Sequence, residues 1–452
     1  GFYPMLKRKI DSRIREYYTH EKGALLVTGA RQIGKTFSIR EFGKTFKNFI
    51  EINFIANPEA AEAFKNAQTA KQLLLRLSAM TTIPLEKGKT LIFFDEVQAC
   101  PEIVTAIKFL TEEGSYRYIL SGSLLGVELK DLRSEPVGYM DIAEMFPLDF
   151  EEFAKNTGVS ETIWEIVRTA WTHRVPVDEF IHGKMMELFR LYLVVGGMPA
   201  AVTRYLETSN LQQVIAVQQA ILRMYKRDIA QYDPGSKLYI EEIFELIPPE
   251  LNAKNKRFIL KKLNENAKFA RYENSFLWLK NAGVALPVYN VEEPKIPLLL
   301  ARSRNLFKLF QSDIGLLACQ YAEGIQLKII TNDKNINFGS VFENAVAQEL
   351  FAHGFTPYFY NNKKRGELDF VLEIGGNVLP IEVKSGKNYE VHRALSNILD
   401  CGEYDIPEAL VLQNGNLNRK GKIIYAPIYM VAFIKKEGTA PAFYSVDLSA
   451  LR

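Results

Sequence analysis

The stretch GALLVTGARQIGKTFSIREFGKTF constrains this chain more than any other. An apolar run, Ala24 to Val27, leads into glycine-rich GARQIGKT at residues 29–36, and the residues beyond have helical character. Strand, glycine loop and helix form the context in which the spacing GxxxxGK[ST] acts as a phosphate cradle. Gly29 and Gly34 permit backbone conformations and a close approach that a Cβ would block. The loop Gly29, Ala30, Arg31, Gln32, Ile33, Gly34 then turns its amides, with the N-terminus of the next helix, toward the phosphates. Lys35 is placed to reach the β- and γ-phosphates, and the Thr36 hydroxyl to ligate magnesium. On its own the pattern also allows a simple turn that carries a lysine.

The next feature narrows that choice. In KGKTLIFFDEVQ the apolar run Leu91 to Phe94 ends in Asp95 and Glu96. An uninterrupted apolar run is how a buried parallel strand reads. Acids at its C-terminal end lie where open α/β sheets bind ligands. Asp95 is expected to hold magnesium, and Glu96 to polarise the attacking water as a general base. A third run, YRYILSGSLLG, ends near Ser121 and Ser123. Either serine suits a sensor of the terminal phosphate, Ser123 being the one assigned to the nucleotide, and either equally suits a Ser/Gly turn. The segments AAEAFKNAQTAKQLLLRLSAM and PEIVTAIKFLTEEG carry helix-spaced apolar residues. Strands alternating with helices imply a parallel sheet covered on both faces.

At 452 residues the chain exceeds what one core usually serves, so roughly two to four domains are expected. No apolar run approaches the roughly 20 residues of a membrane helix. The N-terminal residues are charged and lack a signal-peptide core. Cys100, Cys319 and Cys401 are sparse and odd in number, which favours a reducing, cytoplasmic setting over a disulfide framework. The five histidines show no zinc-type pairing. The net charge is only +3, so any contact with nucleic acid must come from local patches.

Residues 151–248 are mostly helical in period, as in MMELFRLYLVVGGMPAAV and NLQQVIAVQQAILRMYKRDIA, and read as a helical lid. The paired prolines of ELIPPELN mark the expected boundary. Residues 251–310 then hold 12 Lys and Arg against 4 Glu. A helix, Gly283 and a small hairpin in KFARYENSFLWLKNAGVALPVY and RNLFKLFQSDIGLLA suggest a winged-helix-like unit over 249–325. Its cations would grip DNA phosphates, although winged helices also dock proteins.

The last part, 330–452, opens with FGSVFENAVAQELFAHG, read as an amphipathic helix. Strands FVLEI and VLPIEVK follow, joined by Gly375 and Gly376, a hairpin pattern. Asp369 enters one strand and Glu382 leaves the next, so both carboxylates reach one end of the sheet. Two such carboxylates hold one or two magnesium ions in phosphodiester cleavage. Lys384 projects to the same face as Glu382, and Glu343 on the preceding helix is placed to complete the ligand set. Charges at strand ends are equally compatible with a fold that has no cleavage chemistry. Basic and acidic residues beyond Thr331 nearly balance, at 13 and 14, so this unit alone is not a strong DNA binder.

GARQIGKT, LIFFDEVQ, LSGSLLG and MFPLDFEEF, in this order, resemble a prokaryotic subfamily of AAA+ ATPases. The resemblance runs along nearly the whole chain; in that subfamily the second half is a conserved domain of unknown function. It implies ATP binding and hydrolysis by Lys35, Thr36, Asp95 and Glu96, and agrees with a winged-helix-like unit. The pattern Asp369…Glu382-x-Lys384 with an upstream helical Glu resembles the PD-(D/E)XK restriction-endonuclease-like fold, with GELDF in place of the usual Pro before Asp. AAA+ ATPases often take an arginine finger from a neighbouring subunit and a sensor arginine from the lid, which is compatible with a homo-oligomer; Arg133, Arg223 and Arg227 are candidates, each read in preference as a surface or structural arginine, and none is assigned.

The expected fold is α/β multidomain: a P-loop NTPase parallel sheet over 1–150, a helical lid, a winged-helix-like unit and a restriction-endonuclease-like α/β domain. The expected function is an ATP- and magnesium-dependent ATPase acting on DNA, whose C-terminal unit either cuts DNA or holds it. The alternative is a nucleotide-controlled signalling switch that binds a protein or nucleic acid without cleavage.

Overall fold

The computed structural model describes residues 5–123, 138–232, 237–252, 269–436, 438 and 441–451. Arg133 and residues 253–268, which carry half of the Lys and Arg in the basic stretch 251–310, lie outside them.

Five strands build the first sheet: β1 (Ala24–Thr28), β2 (Asn48–Asn53), β3 (Thr90–Asp95), β4 (Arg117–Gly122) and β5 (Met140–Glu144). Their order is β2-β3-β4-β1-β5, and every pairing is parallel. Strands β1 and β3 are buried along their full length. Parallel strands covered on both faces must be apolar throughout, which is why LLV and LIFF occur as unbroken runs. The strand order brings the C-terminal ends of β1, β3 and β4 side by side, and the sequence places its glycine loop, its acids and its serines there.

The residues expected to form a lid, 151–248, are helical as the periodicity implies: Phe150–Thr157, Glu161–His173, Glu179–Val195, Pro199–Thr208, Leu211–Tyr232 and Lys237–Asn252. Gly196, with φ +66°, ends the third of these, as the VVGGMP break implies. The last one corrects a sequence expectation, because it runs through Pro248 and Pro249 rather than stopping before them. Each proline forgoes a backbone donor, a cost of about 3 kcal/mol in a helix interior. Burial of Ile240, Ile243, Phe244 and Ile247 on one face offsets it.

Eight strands build the second sheet: β6 (Ala285–Val291), β7 (Arg302–Gln311), β8 (Tyr358–Asn362), β9 (Gly366–Ile374), β10 (Asn377–Val383), β11 (Ala409–Gln413), β12 (Asn418–Lys420) and β13 (Ile423–Pro427). Their order is β12-β13-β11-β10-β9-β8-β6-β7. The hairpin β6–β7, expected as a projecting wing, is the edge of this sheet, because β6 pairs in parallel with β8. The expected break between 325 and 330 therefore does not interrupt the sheet. A second correction concerns the helix Gly339–Ala352: it is not amphipathic in place but buried at every position from Ser340 to Leu350. It lies between the sheet and the helix Glu179–Val195, so its polar residues must find partners inside. Asn344 exchanges hydrogen bonds with the backbone of Gln311, and Gln348 donates to Tyr192 Oη.

Candidate active site

The loop at 29–36 has the conformation its glycines forecast. Gly29 and Gly34 adopt φ of +145° and +96°. A Cβ on Gly29 would overlap the Met145 carbonyl and the Ile33 side chain. Gly34 is the N-cap of the helix Lys35–Gly43, so the positive end of that helix faces the loop. Gln32 also has a positive φ, +68°.

Lys35, Thr36, Asp95, Glu96 and Ser123 line one cavity of about 320 Å³, together with Arg31, Gln32 and Gly34. Thr36 Oγ1 donates to Asp95 Oδ2 at 3.1 Å, so the two expected magnesium ligands adjoin. A hydroxyl and a carboxylate at helix start and strand end are the hard oxygen donors magnesium takes, and the pair fits that ion. Burial, then the neighbouring Glu96, raises the Asp95 pKa above its ordinary value. Lys35 Nζ donates to Gly29 O at 2.8 Å and Ala30 O at 2.6 Å, folding back onto its own loop. Burial lowers its pKa to about 8. Glu96 sits at φ +56° in the left-handed region, a strain of about 1–3 kcal/mol for a non-glycine residue. Its Oε2 accepts from Gln98 Nε2 at 2.5 Å, which fixes the carboxylate. Ser123 Oγ is buried without a hydrogen-bond partner at the cavity wall, as befits a group awaiting a polar ligand. Ser121 is buried within β4 and does not line the cavity.

A second cavity of about 490 Å³ opens on the other side of Gly34. It is mainly apolar, with Leu6, Phe37, Pro199 and Thr203 in its wall, and Arg8 and Arg204 at polar edges. Gly34, Pro199 and Ala200 border both cavities. Sequence reasoning marks Gly34 but missed Leu6, Arg8, Pro199, Ala200 and Arg204, because they come from the N-terminal segment and from the helix Pro199–Thr208. Arg8 donates to Ile33 O at 2.8 Å and pairs with Glu152 at 2.7 Å, tying the phosphate loop to the helix Phe150–Thr157.

The loop is also held from the second half of the chain. Arg31 pairs with Asp228 at 2.6 Å, and Tyr225 Oη donates to Arg31 O at 2.9 Å. Gly283, at φ +73°, packs so closely on the loop that a Cβ there would stand 2.9 Å from Ala30 N. Arg223 and Arg227, on the same helix as Tyr225 and Asp228, are exposed and do not line either cavity.

In the second sheet, β9 and β10 pair antiparallel with Phe370 opposite Ile381, which sets Asp369 beside Glu382. Asp369 N donates to Glu382 Oε1 at 3.0 Å, and Val383 N to Asp369 Oδ2 at 2.8 Å. Lys384 Nζ stands 3.8 Å from Glu382 Oε2. Burial, then Asp369, raises the Glu382 pKa well above the carboxylate range. Lys308, unforeseen from sequence, enters this cluster from β7. Its fully buried ammonium pairs with Glu343 at 3.2 Å and Glu367 at 2.8 Å. Burial opposes the charge, but Glu343, Glu367 and Asp369 outweigh it and raise the Lys308 pKa. Asp369, Glu382 and Lys384 thus stand together at one end of β9 and β10, and Glu343 reaches them through Lys308. Glu343, expected as a third metal ligand, is instead engaged by Lys308, and among the described residues it does not bring a ligand atom close enough to share an ion with both Asp369 and Glu382.

Residues 21–154 match a family model described as an AAA domain. Residues 186–327 and 338–431 match two models described as domains of unknown function, DUF8612 and DUF4143. No curated protein matches the chain. Among solved structures, the Walker-type ATPase PABY2304 of Pyrococcus abyssi is 13% identical, with 70% of this chain and 95% of that one covered and a TM-score of 0.42. The ORC1 protein of Aeropyrum pernix, solved in complex with DNA, is 10% identical, with 74% and 94% covered and a TM-score of 0.30. Neither likeness is close enough to carry function across. Among the described residues no helix is long and apolar enough to cross a membrane. The match over 21–154, borne on a parallel sheet whose strand ends converge at the glycine loop, makes the first third of this chain a P-loop AAA-type ATPase domain.

Proposed function

We propose that the protein hydrolyses ATP and uses the nucleotide state to control the action of its second half on DNA. The single observation that carries this reading is the pair of adjoining cavities around Gly34. One is polar and lined by Lys35, Thr36, Asp95, Glu96 and Ser123; the other is mainly apolar and suited to a base. Phosphates lie along the loop amides and the base lies between Phe37 and Pro199. Lys35 leaves the carbonyls of Gly29 and Ala30 for the β- and γ-phosphates. Thr36 and Asp95 would hold magnesium, which would supply charge neutralisation on the phosphate oxygens. Glu96, oriented by Gln98, accepts the proton of the attacking water. Ser123 donates its unpaired hydroxyl toward the terminal phosphate. The contacts of Asp228, Tyr225 and Gly283 with the loop supply the route by which nucleotide state reaches the second half.

DNA contact rests on the basic excess in residues 251–310. The test is steady-state ATP turnover with magnesium, in the absence and presence of single-stranded, duplex and branched DNA. DNA-stimulated turnover supports the reading; turnover indifferent to every DNA withdraws DNA as the partner and leaves the signalling-switch alternative.

A second reading, magnesium-dependent cleavage by a restriction-endonuclease-like domain, is favoured by one observation. Asp369, Glu382 and Lys384 converge at one end of β9 and β10, below a helix that supplies Glu343. Asp369 and Glu382 would hold the ion, and Lys384 would stabilise charge on the phosphate. Cleavage lost in Asp369→Ala, with ATP turnover intact, supports it; cleavage that persists in that variant places the chemistry elsewhere.

A further inference from the structure

Outside both sites, one trio of metal-ligating side chains stands out among the described residues: Asp149, Glu349 and His353, with ligand atoms all within 4.8 Å of one another. Asp149 is the N-cap of the helix Phe150–Thr157, at the end of the ATPase domain. Glu349 lies on the central helix Gly339–Ala352, and His353 caps its C-terminus.

Each side chain is held by an outer hydrogen bond that leaves one atom pointing inward. Asp149 Oδ1 accepts from Glu152 N at 2.8 Å, leaving Oδ2. Glu349 Oε1 accepts from Phe150 N at 2.5 Å, leaving Oε2. His353 Nδ1 lies 2.7 Å from Ile434 O. A carbonyl can only accept, so Nδ1 carries the proton of that bond and Nε2 is the atom left to face the carboxylates. This is the outer-shell arrangement that fixes the tautomer and orientation of metal-ligating histidines.

Of the three inward atoms, Asp149 Oδ2 accepts from Lys9 Nζ, and the other two lack a hydrogen bond. His353 Nε2 is 3.3 Å from Glu349 Oε2 and 3.8 Å from Asp149 Oδ2. Yet neither Nε2 nor Glu349 Oε2 has a hydrogen-bond partner of acceptable geometry, and the two side chains are 4% and 0% exposed. Two buried carboxylates need compensating positive charge; without a metal, Lys9 and the imidazolium of His353 supply it, and a metal bound by the trio would take over that role. Lys9 supplies one charge from the rim, 2.5 Å from Asp149 Oδ2, with a side chain 42% exposed and able to swing into solvent. Donors bound at about 2.0–2.2 Å around a tetrahedral ion stand roughly 3.4 Å apart, close to the spacings seen. A cavity of about 120 Å³ lined by Lys9, Asp149 and Ala352 offers a way in.

We propose that Asp149, Glu349 and His353 bind a divalent transition metal, with zinc the best match, that staples the ATPase domain to the central helix of the second half. The imidazole ligand selects zinc, cobalt or nickel over magnesium and calcium. Lys9 is then the occupant that the metal displaces.

The test uses the full chain, stripped with chelator and titrated with zinc in the presence of excess magnesium, which occupies sites built from oxygen donors alone. The wild type is expected to retain one zinc equivalent, and cobalt in its place to give visible ligand-field bands. Asp95→Asn keeps that equivalent, whereas His353→Gln weakens it by more than about tenfold. Lys9→Met removes the competing ammonium and is expected to bind zinc more tightly, with zinc restoring the thermal stability lost with the ion pair. This variant decides the matter even if His353→Gln does not fold. No zinc equivalent in the wild type, or a Lys9→Met protein whose stability ignores zinc, would reduce the trio to an ion-pair network and overturn the proposal.

Discussion

Lys35 sits against the carbonyls of Gly29 and Ala30, and burial lowers its pKa to about 8. The sign of its pH dependence follows. The folded value lies below the ordinary 10.5, so the empty protein gains stability as pH rises from about 8 to 10.5, where only the unfolded chain still holds the proton. Nucleotide binding runs the other way, because phosphates need the ammonium. ATP affinity is therefore expected to fall as pH rises through about 8, approaching tenfold per pH unit above it, in a titration of nucleotide binding against pH. A flat profile would mean that Lys35 keeps its charge without the phosphates. The lysine itself was legible from GARQIGKT; its fold-back and lowered pKa were not, because they depend on the burial of the whole loop. Gln98 and Arg8 were likewise invisible. A glutamine two residues past an acid, or an arginine in a charged N-terminus, has no pattern that marks it as orienting a catalytic group or pinning a loop.

At the scale of elements, two contacts join parts of the chain that the sequence separates. The turn at Gly283, between the helix Phe269–Asn281 and β6, lies against Ala30. Gly283→Ala would add a Cβ 2.9 Å from Ala30 N and force φ +73° on a residue with a side chain. A stability loss of about 1–3 kcal/mol is expected from denaturant unfolding, with weakened ATP binding. Unchanged affinity would show that the turn touches the loop without shaping it. Lys308 on β7 makes the second contact, with Glu343 and Glu367. Lys308→Met leaves Glu343 as a buried charge without that cation, and a loss of about 3–5 kcal/mol is expected. A thermal scan showing no loss would mean that Glu343 takes up a proton at little cost. The hairpin of β9 and β10 was legible because two glycines divide two apolar runs. The attachment of β6 to β8 was not, since nothing in a short strand names its parallel partner. The helix Gly339–Ala352 misled for a related reason: its polar residues suggest a wet face, and only the sheet and the lid together show that every side is covered.

At the scale of the molecule, the ATPase domain stood out in the sequence because parallel strands, glycine loop and strand-end acids each leave a local signature. The arrangement of the second half did not, because its carboxylate clusters draw on elements separated in sequence, by some 35 residues between Lys308 and Glu343 and by 200 between Asp149 and Glu349. Asp149 and Glu349 meet only in three dimensions, as do Lys308 and Asp369. The proposed function stands on ATP binding at the loop of residues 29–36. The most direct measurement is calorimetric titration of ATP with magnesium into the wild-type protein and into Lys35→Ala. Stoichiometric binding by the wild type is expected, with loss of most of that affinity in the variant. Equal affinity in the two proteins, or no binding by either, would contradict it.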